Sequence, residues 1–385
     1  MTSIGDVVVV GGEPAALSCA ARLLREGVRV AHLYPVPWGL LGASRDIGLA
    51  YPELGEPLER LDYALGEELA REFHAWGKTG VELLTQLAGN HQGFRRGSRL
   101  QVSRNEQEAK VSGSDALDRQ RLGDEVRLMS GGAASNYAPL TTLIVQASFE
   151  THAAAFAPVA LSEHLQATLA RHPNYRAVEL SAEPWQQCQV ESVSGVARAR
   201  WPGGEATGDV VMVAAAYDSA RLLGKFDKAL VPLLGQAFRS QPLREKARSS
   251  VVGVTASWGN ERYRFDDDWR LLACGIDPSS GQLHRQAVVE DKTQEAFWQR
   301  ACTIFSDLNL CEEDVLRWGV LFTTTCDGLP LIGPLPGEPH LYVAAGFSTS
   351  AWSRGLQVGD QLAGMLTHGG AGTALLQRCS PRRLC

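Results

Sequence analysis

The stretch VVVVGGEPAALSCAARLLREGVRVAHLYP, residues 7–35, constrains the fold of this chain more than any other. Four consecutive valines after Asp6 are what a parallel strand covered on both faces requires. Gly11 and Gly12 punctuate that strand, and the alanine- and leucine-rich run from Ala15 to Arg25 predicts a helix. Gly27 ends the helix and Val28 to Leu33 predict a second strand, giving a βαβ unit of ordinary length. In a nucleotide-binding unit of this kind the first glycine makes the tight turn and the second lets backbone approach a pyrophosphate. The third lets helix pack on strand, and the phosphates sit at the helix N-terminus. Those positions are Gly11, Glu13 and Ala16 here. Alanine is tolerated at the third. Glutamate at the second adds a Cβ and a carboxylate, which at about 4 Å from a phosphate charge is repelled by about 4 kcal/mol at an effective dielectric near 20. Tyr34 stands 23 residues after Gly11, where an acidic residue ordinarily holds ribose hydroxyls. Losing that charge-assisted bond costs about 1.5–3 kcal/mol. The loop is therefore either a weakened dinucleotide site or the remains of one.

The rest of the chain has alternating character. Residues 57–90 are helical by pattern, with Pro57 opening the first turn and Leu58, Leu61, Leu65 and Leu69 on one face. Residues 91–140 are polar and predict loops around a helix at 104–121. A strand at 142–148 leads to Pro158 and a helix striped by Leu161, Leu165 and Leu169. Strands follow at 176–181 and 188–200, then the turn WPGGEATG and the doubly buried strand DVVMVAAA, 209–216. Residues 250–291 alternate as an antiparallel sheet does, HLYVAAG (340–346) is another buried strand, and Val358–Leu366 predict a helix. Parallel strands in three widely separated places imply one discontinuous domain with a second inserted into it.

Net charge is −6, without a lysine- or arginine-rich block, which argues against a nucleic-acid partner. The eight cysteines form no C-x-x-C pair, and none of the nine histidines has metal-ligand spacing, so no metal is expected. No apolar run approaches the roughly 18 residues of a membrane span. MTSIGDVVVVGG runs directly into a strand pattern, leaving no charged leader and cleavage site. These features predict a cytoplasmic protein with reduced thiols.

The segment TTTCDGLPLIGPLPGEPHLYVAAGFSTSAWSRGLQVGDQLAGML, residues 323–366, resembles the closing segment of the D-amino-acid oxidase superfamily, glycine oxidase and monomeric sarcosine oxidase being the nearest types. The family's DGLPxIGP stands at Asp327–Pro334 and its flavin-facing turn at Ala344–Ser353. GDVVMVAAAYDSARLL (208–223) is similar to the family's ADxVVxAAGAWSxxLL, with Ala216 in place of glycine. WRLLACG (269–275), LGASRDIGL (41–49) and AEPWQQCQVESV (182–193) resemble, in order, a substrate-domain strand, the loop wrapping the flavin, and the strand touching adenine.

The resemblance implies an α/β, two-domain FAD-binding fold: a parallel-sheet Rossmann-like domain (1–75, 145–225 and 323–385) and an inserted antiparallel-sheet substrate domain (76–144 and 226–322). It implies oxidation of a small amine or amino acid, CH–NH to imine, by hydride transfer to FAD. Implied cofactor positions are Gly11, Gly12, Ala15, Ala16, Tyr34, Ser44, Arg45, Trp185 through its backbone, Ala215, Gly346, Phe347 and Ser348. Tyr263, Arg264, Phe322 and Arg354 are the substrate positions, and Arg354, Ser353 and Arg45 the catalytic ones. Phe322 replaces a carboxylate-binding arginine of glycine-oxidase-like members. Val320 replaces the attachment cysteine of sarcosine oxidases, so FAD is expected to be non-covalent. Ser353 replaces the oxygen-activating lysine of that branch, which predicts slow reoxidation and a biosynthetic role.

Several residues carry two readings. Arg354 is a carboxylate anchor or a surface ion pair, because arginine grips carboxylates bidentately in either setting. Ser44 and Arg45 are solvated or bind phosphate and flavin; Tyr263 is structural or contacts substrate. His152 and Cys326 are weaker candidates, Cys326 having no histidine near it in sequence. Two functions follow: an FAD-dependent amine or amino-acid oxidoreductase, or a degenerate subunit with weak or no FAD that serves a protein partner.

Overall fold

The structure is a computed structural model describing residues 6–38, 42–52, 55–243, 248–276, 286–370 and 372–384. Leu41 of the expected flavin loop and residues 277–285 of the expected alternating region lie outside the described residues. Strand β1 (Asp6–Val10) is buried along all four valines. It pairs in parallel with β2 (Arg29–Pro35) on one side and Val210–Val213 on the other. The six-stranded sheet runs Leu331–Leu335, Glu338–Ala345, Val210–Val213, β1, β2, Tyr175–Leu180, all parallel except the first pair.

Both faces of this sheet are covered, which is why its central strands read as unbroken apolar runs. On one face lies helix α1 (Pro14–Arg25), tight against the helix Leu356–His368. A Cβ on Gly359 would meet the Ala15 carbonyl oxygen at 2.2 Å, and Ser18 Oγ donates to the Leu356 carbonyl at 2.7 Å. The other face packs on a three-stranded antiparallel sheet, Gln189–Val193, Val196–Trp201 and Gly204–Gly208. The expected single strand 188–200 is thus a hairpin, turning at Ser194 and Gly195, both with positive φ (53° and 80°).

A second, nine-stranded sheet is mostly antiparallel and includes Leu316–Thr325, Leu230–Arg239, Leu271–Ile276, Glu261–Phe265 and Gly253–Ala256. The region 91–140 is less loop-rich than its polarity suggests. It supplies the strands Arg95–Ser103 and Val126–Ser130, and both pair with Gln146–Ala155. Their charges are paired internally: Glu150 accepts from Arg99 at 2.8 Å and from both terminal nitrogens of Arg119 at 2.9 and 2.8 Å.

A short turn, α2 (Gly42–Arg45), packs against Leu316–Thr325. The expected helix 57–90 is two helices, α3 (Leu58–Leu65) and α4 (Glu67–Ala88), broken at Gly66 with φ 83°. Among the described residues no helix is long and apolar enough to cross a membrane, and no group of three His, Cys, Asp or Glu is placed to hold a metal ion.

Candidate functional site

The turn after β1 has the geometry a dinucleotide loop needs at its first residue. Gly11 has φ 126°, and a Cβ there would lie 1.9 Å from the Ala214 carbonyl oxygen. His32 braces the turn from β2. Its Nε2 lies 2.7 Å from the Gly11 carbonyl and its Nδ1 2.8 Å from the Tyr175 hydroxyl. Burial pulls the imidazole down to about 4, against that hydrogen bond. A carbonyl only accepts, so the neutral ring carries its proton on Nε2 and accepts from Tyr175 at Nδ1. Gly12, Ala15 and Ala16 are buried in the same turn and the start of α1.

The second loop position departs from that geometry. Glu13 sits at the N-cap of α1 with φ −71° and ψ 156°, and its side chain caps nothing in the helix. Its carboxyl accepts instead from the Ala43 N–H of α2, at 3.4 Å. Burial raises its pKa; the Ala43 hydrogen bond lowers it and nearby Asp46 adds to the rise, leaving it about 7. Pro14, the next residue, has no N–H to offer a phosphate.

At the end of β2, Tyr34 is fully buried and stacks on Trp38 (centroids 4.8 Å apart, 16° between planes). Its hydroxyl donates to Glu179 at 2.9 Å. Trp185 lies in a short helix, Ala182–Gln187, and not in a strand. Its N–H donates to Ser181 and its carbonyl accepts from Cys188, so the backbone expected to face adenine is engaged locally. Ala215 N–H lies 3.1 Å from Ser219 Oγ, and Ala216 adopts φ 49°, which explains the glycine at that position in the family pattern.

On the other side of the groove, Gly346 follows the strand Glu338–Ala345 with φ 85°, and a Cβ on it would meet Thr325 Cγ2 at 2.8 Å. Phe347 and Ser348 continue the turn, Ser348 with φ 51°. Gly346 to Ser350 and Arg354 line a cavity of about 640 Å³ with Phe73, Asn260, Thr324, Asp327, Arg378 and the Glu56–Arg60 pair. That volume lies within the range of small-molecule sites. Arg354 comes from a single π-helical turn, Ala351–Gly355, and its guanidinium sits 4.1 Å from the centre of the Phe73 ring. Ser353 faces away from the cavity lining, its Oγ donating to the Ser350 carbonyl at 3.3 Å.

The remaining expected residues stand elsewhere. Ser44 is buried in α2, where Arg45 Nε donates to the Gly319 carbonyl at 3.0 Å. Tyr263 is packed between Phe297 and Phe305 and donates to Glu261 at 2.9 Å. Arg264 donates to the Ile47 carbonyl, and burial together with Arg95 pulls its pKa down to about 10. Phe322 is buried 5.1 Å from the Arg262 guanidinium, which is itself bound to Asp46 at 2.7 Å. His152 and Cys326 also lie outside the cavity lining.

Phe73, Thr323 and the Arg262–Asp46 pair escaped the sequence reading. The first lies in an ordinary amphipathic helix, and the others acquire meaning only through strand register. Asp327 of the DGLP segment accepts from Arg383, Thr325 and the Leu329 N–H, so it pins that turn.

The fit to FAD differs between the two ends of the groove. At the flavin end, the Gly346 turn lacks a Cβ where one would crowd Thr325, and Thr323 Oγ1 is buried without a hydrogen-bond partner. Thr323 lines a gap, shared with Glu13, Gly42, Ala43 and Phe347, of only about 20 Å³. A Cβ on Gly42 would already meet the Leu321 carbonyl at 2.1 Å. The Gly346 turn and the Thr323 hydroxyl offer a backbone frame and a donor to a flavin, but the gap beside them is too small to hold one as it stands. An extended dinucleotide also requires α2 to withdraw from Leu316–Thr325 and Glu13 to lose its charge or turn aside.

Residues 6–365 match the DAO family, described as FAD dependent oxidoreductase. A comparison with curated protein sequences gives no match. Among solved structures, the chain is similar to glycine oxidase from Geobacillus kaustophilus (TM-score 0.77, 20% identity, 98% of each chain). It is also similar to L-proline dehydrogenase from P. horikoshii (TM-score 0.81, 17% identity, 100% of this chain and 98% of that one). A third is iminodiacetate oxidase from Chelativorans sp. (TM-score 0.74, 20% identity, 97% and 98%). At these identities the likeness to solved structures is one of fold, whereas the family match spans the βαβ unit, the inserted sheet and the closing turn together. The chain belongs to the DAO family of FAD-dependent oxidoreductases.

Proposed function

We propose that this chain oxidises a small amine or amino-acid-type substrate, CH–NH to imine, at the cavity beside the 346–350 turn, with FAD held non-covalently. The observation that carries this reading is the convergence of that turn and Arg354 on one cavity of about 640 Å³. When bound, FAD supplies the hydride acceptor. The protein's own contribution is positional. Arg354, held over Phe73 at 4.1 Å, binds a substrate carboxylate. α3 and α4 contribute Leu61, Leu65 and Phe73 to the apolar wall beside a neutral amine, and the proton lost from its N–H leaves through the polar rim at Glu56 and Arg60. The Gly346–Ser348 turn would hold a bound flavin, and with serine at 353 no lysine would stand ready to activate oxygen. That supports slow reoxidation and a biosynthetic role.

A second reading has one observation in its favour. The buried Glu13 carboxyl and the narrow gap beside it suit a DAO-fold subunit that binds FAD weakly or not at all and serves a protein partner. Purification with and without added FAD, followed by anaerobic mixing with a panel of amines and amino acids, separates the two. Bleaching of the oxidised flavin spectrum by one of these substrates is expected. A protein that stays colourless at saturating FAD would overturn the enzymatic reading.

A further inference from the structure

Among the described residues, five charged side chains line the cavity of about 640 Å³: Glu56, Arg60, Asp327, Arg354 and Arg378. The two carboxylates are already paired. Glu56 accepts from Arg60 at 2.9 Å, and Asp327 accepts from Arg383 at 2.7 and 3.0 Å. Arg354 lies over Phe73, and the function proposed above assigns it the substrate carboxylate. Arg378 is left. It is exposed at the cavity, and its guanidinium makes no hydrogen bond or ion pair with any described residue.

Arg378 is presented on a fixed base. Beyond the helix Leu356–His368 the chain reaches α4 again as the short helix Ala374–Arg378. Thr373 Oγ1 caps that helix by accepting from the Leu376 N–H at 3.3 Å, and Leu375 and Leu376 are buried. The Cys379 carbonyl, just after Arg378, accepts from the Ile332 N–H at 3.0 Å and from Arg383 Nη1 at 2.6 Å. Both arginines therefore project from segments that rest on α4, Arg354 from the π-helical turn and Arg378 from this helix. A guanidinium held this way in a concave site offers a carboxylate two parallel N–H donors.

We propose that the substrate is an amino acid with a second acidic group, its α-carboxylate on Arg354 and its distal carboxylate on Arg378. This rests on the reading that the chain oxidises an amino-acid-type substrate in this cavity. The volume agrees: about 640 Å³ lies in the range that encloses drug-sized ligands, well above what glycine or sarcosine fills. The charge agrees as well. With Glu56 and Asp327 paired, a monocarboxylic amino acid leaves Arg378 to solvent, and a basic side chain meets a like charge there. The apolar wall of Leu61, Leu65 and Phe73 suits the methylenes between two carboxylates. The oxidation itself is unchanged, since the distal group takes no part in the loss of hydride and proton at CH–NH.

The experiment is anaerobic reduction of the full-length protein, in saturating FAD, by matched pairs that differ in one charge: aspartate with asparagine, and glutamate with glutamine, each as both enantiomers. In at least one pair the acidic member should half-saturate at a concentration lower by about 3–10-fold, the range for a charge-assisted bond to an exposed arginine. Added salt should shrink that ratio. Arg378→Gln should bring it close to one. Arg378→Glu should reverse it and admit lysine and ornithine, a gain that no loss of folding imitates. Arg382→Gln removes the same charge from an exposed neighbour outside the cavity lining and should keep the wild-type ratio. A wild-type ratio near one, a ratio that survives both Arg378 variants, or an equal fall in Arg382→Gln overturns the second acidic site and leaves the amino-acid reading standing. Flavin reduction by none of the amines and amino acids overturns both.

Discussion

Gly80→Ala tests whether the cavity wall is built by the close approach of two backbones. Gly80 lies in α4 where it meets the π-helical turn carrying Arg354, and a Cβ there would fall 1.9 Å from the Ser353 carbonyl oxygen. That is about 1.5 Å inside contact distance. The obstacle is backbone, so no rotamer relieves it. Overpacking of this kind costs about 1–3 kcal/mol, and here the upper end applies. Against this, alanine gains about 1 kcal/mol over glycine in a helix interior. The net loss is about 1–2 kcal/mol, which for 385 residues lowers Tm by about 1–3 °C. The turn must also move outward, taking the Arg354 guanidinium off the Phe73 ring, so KM for an amino-acid substrate should rise while the fold survives. Gly113→Ala is the control: it also lies in a helix, and its Cβ would meet only Gln146 Nε2, at 3.5 Å. It should gain about 0.5–1 kcal/mol. Scanning calorimetry of the two variants decides the matter by sign. A Tm that rises in Gly80→Ala as it does in Gly113→Ala would refute the packing argument.

Glu150→Gln strips Arg99 and Arg119 of their shared buried partner and should cost about 3–5 kcal/mol in urea denaturation. For Glu150 burial alone would raise the pKa, but Arg119 and Arg99 outweigh it and bring it to about 2. Its stabilisation is therefore complete above about pH 4.5 and is lost as pH falls from there towards about 2, a loss the glutamine variant should not show. Arg354→Ala should raise KM for amino acids by about 10–100-fold, the worth of a charge-assisted hydrogen bond. Amines without a carboxylate should be unaffected, and equal losses for both would place Arg354 outside substrate binding.

The parts of the fold legible in sequence are those where burial leaves a one-dimensional signature. A strand covered on both faces must be apolar throughout, and Val7–Val10, Val210–Val213 and Leu341–Ala345 are. Arg95–Ser103 escaped because its buried Arg99 reads as solvent-facing until Glu150, 51 residues away, is seen to neutralise it. The hairpin at Ser194–Gly195 escaped for a different reason. Alternation continues through it, and the only local mark of the reversal is the Ser194-Gly195 pair, both residues with positive φ.

The candidate site was legible to a similar degree. The glycine pattern located both turns that flank the groove, because each requires a backbone that no Cβ permits. The direction of each side chain was not in the pattern. Tyr34 reads as a lost ribose ligand, but strand register sets it opposite Glu179, which takes its hydroxyl, while Trp38 covers its ring. A carboxylate is thus still present at the end of this sheet, displaced by one strand and bound to a phenol.

A similar displacement governs the cavity. Position 353, where the family resemblance expects a lysine, is a buried serine whose carbonyl lies against Gly80 and whose hydroxyl donates to the Ser350 carbonyl. Consecutive residues of a helical turn point in different directions, so a charge moved by one residue faces a different wall. In this turn that wall is the Phe73 ring, and Arg354 meets it at 4.1 Å. Arg354 thus places a cation at the cavity that the 346–348 turn also lines. Under the proposed reading, that geometry preserves carboxylate binding while weakening oxygen activation.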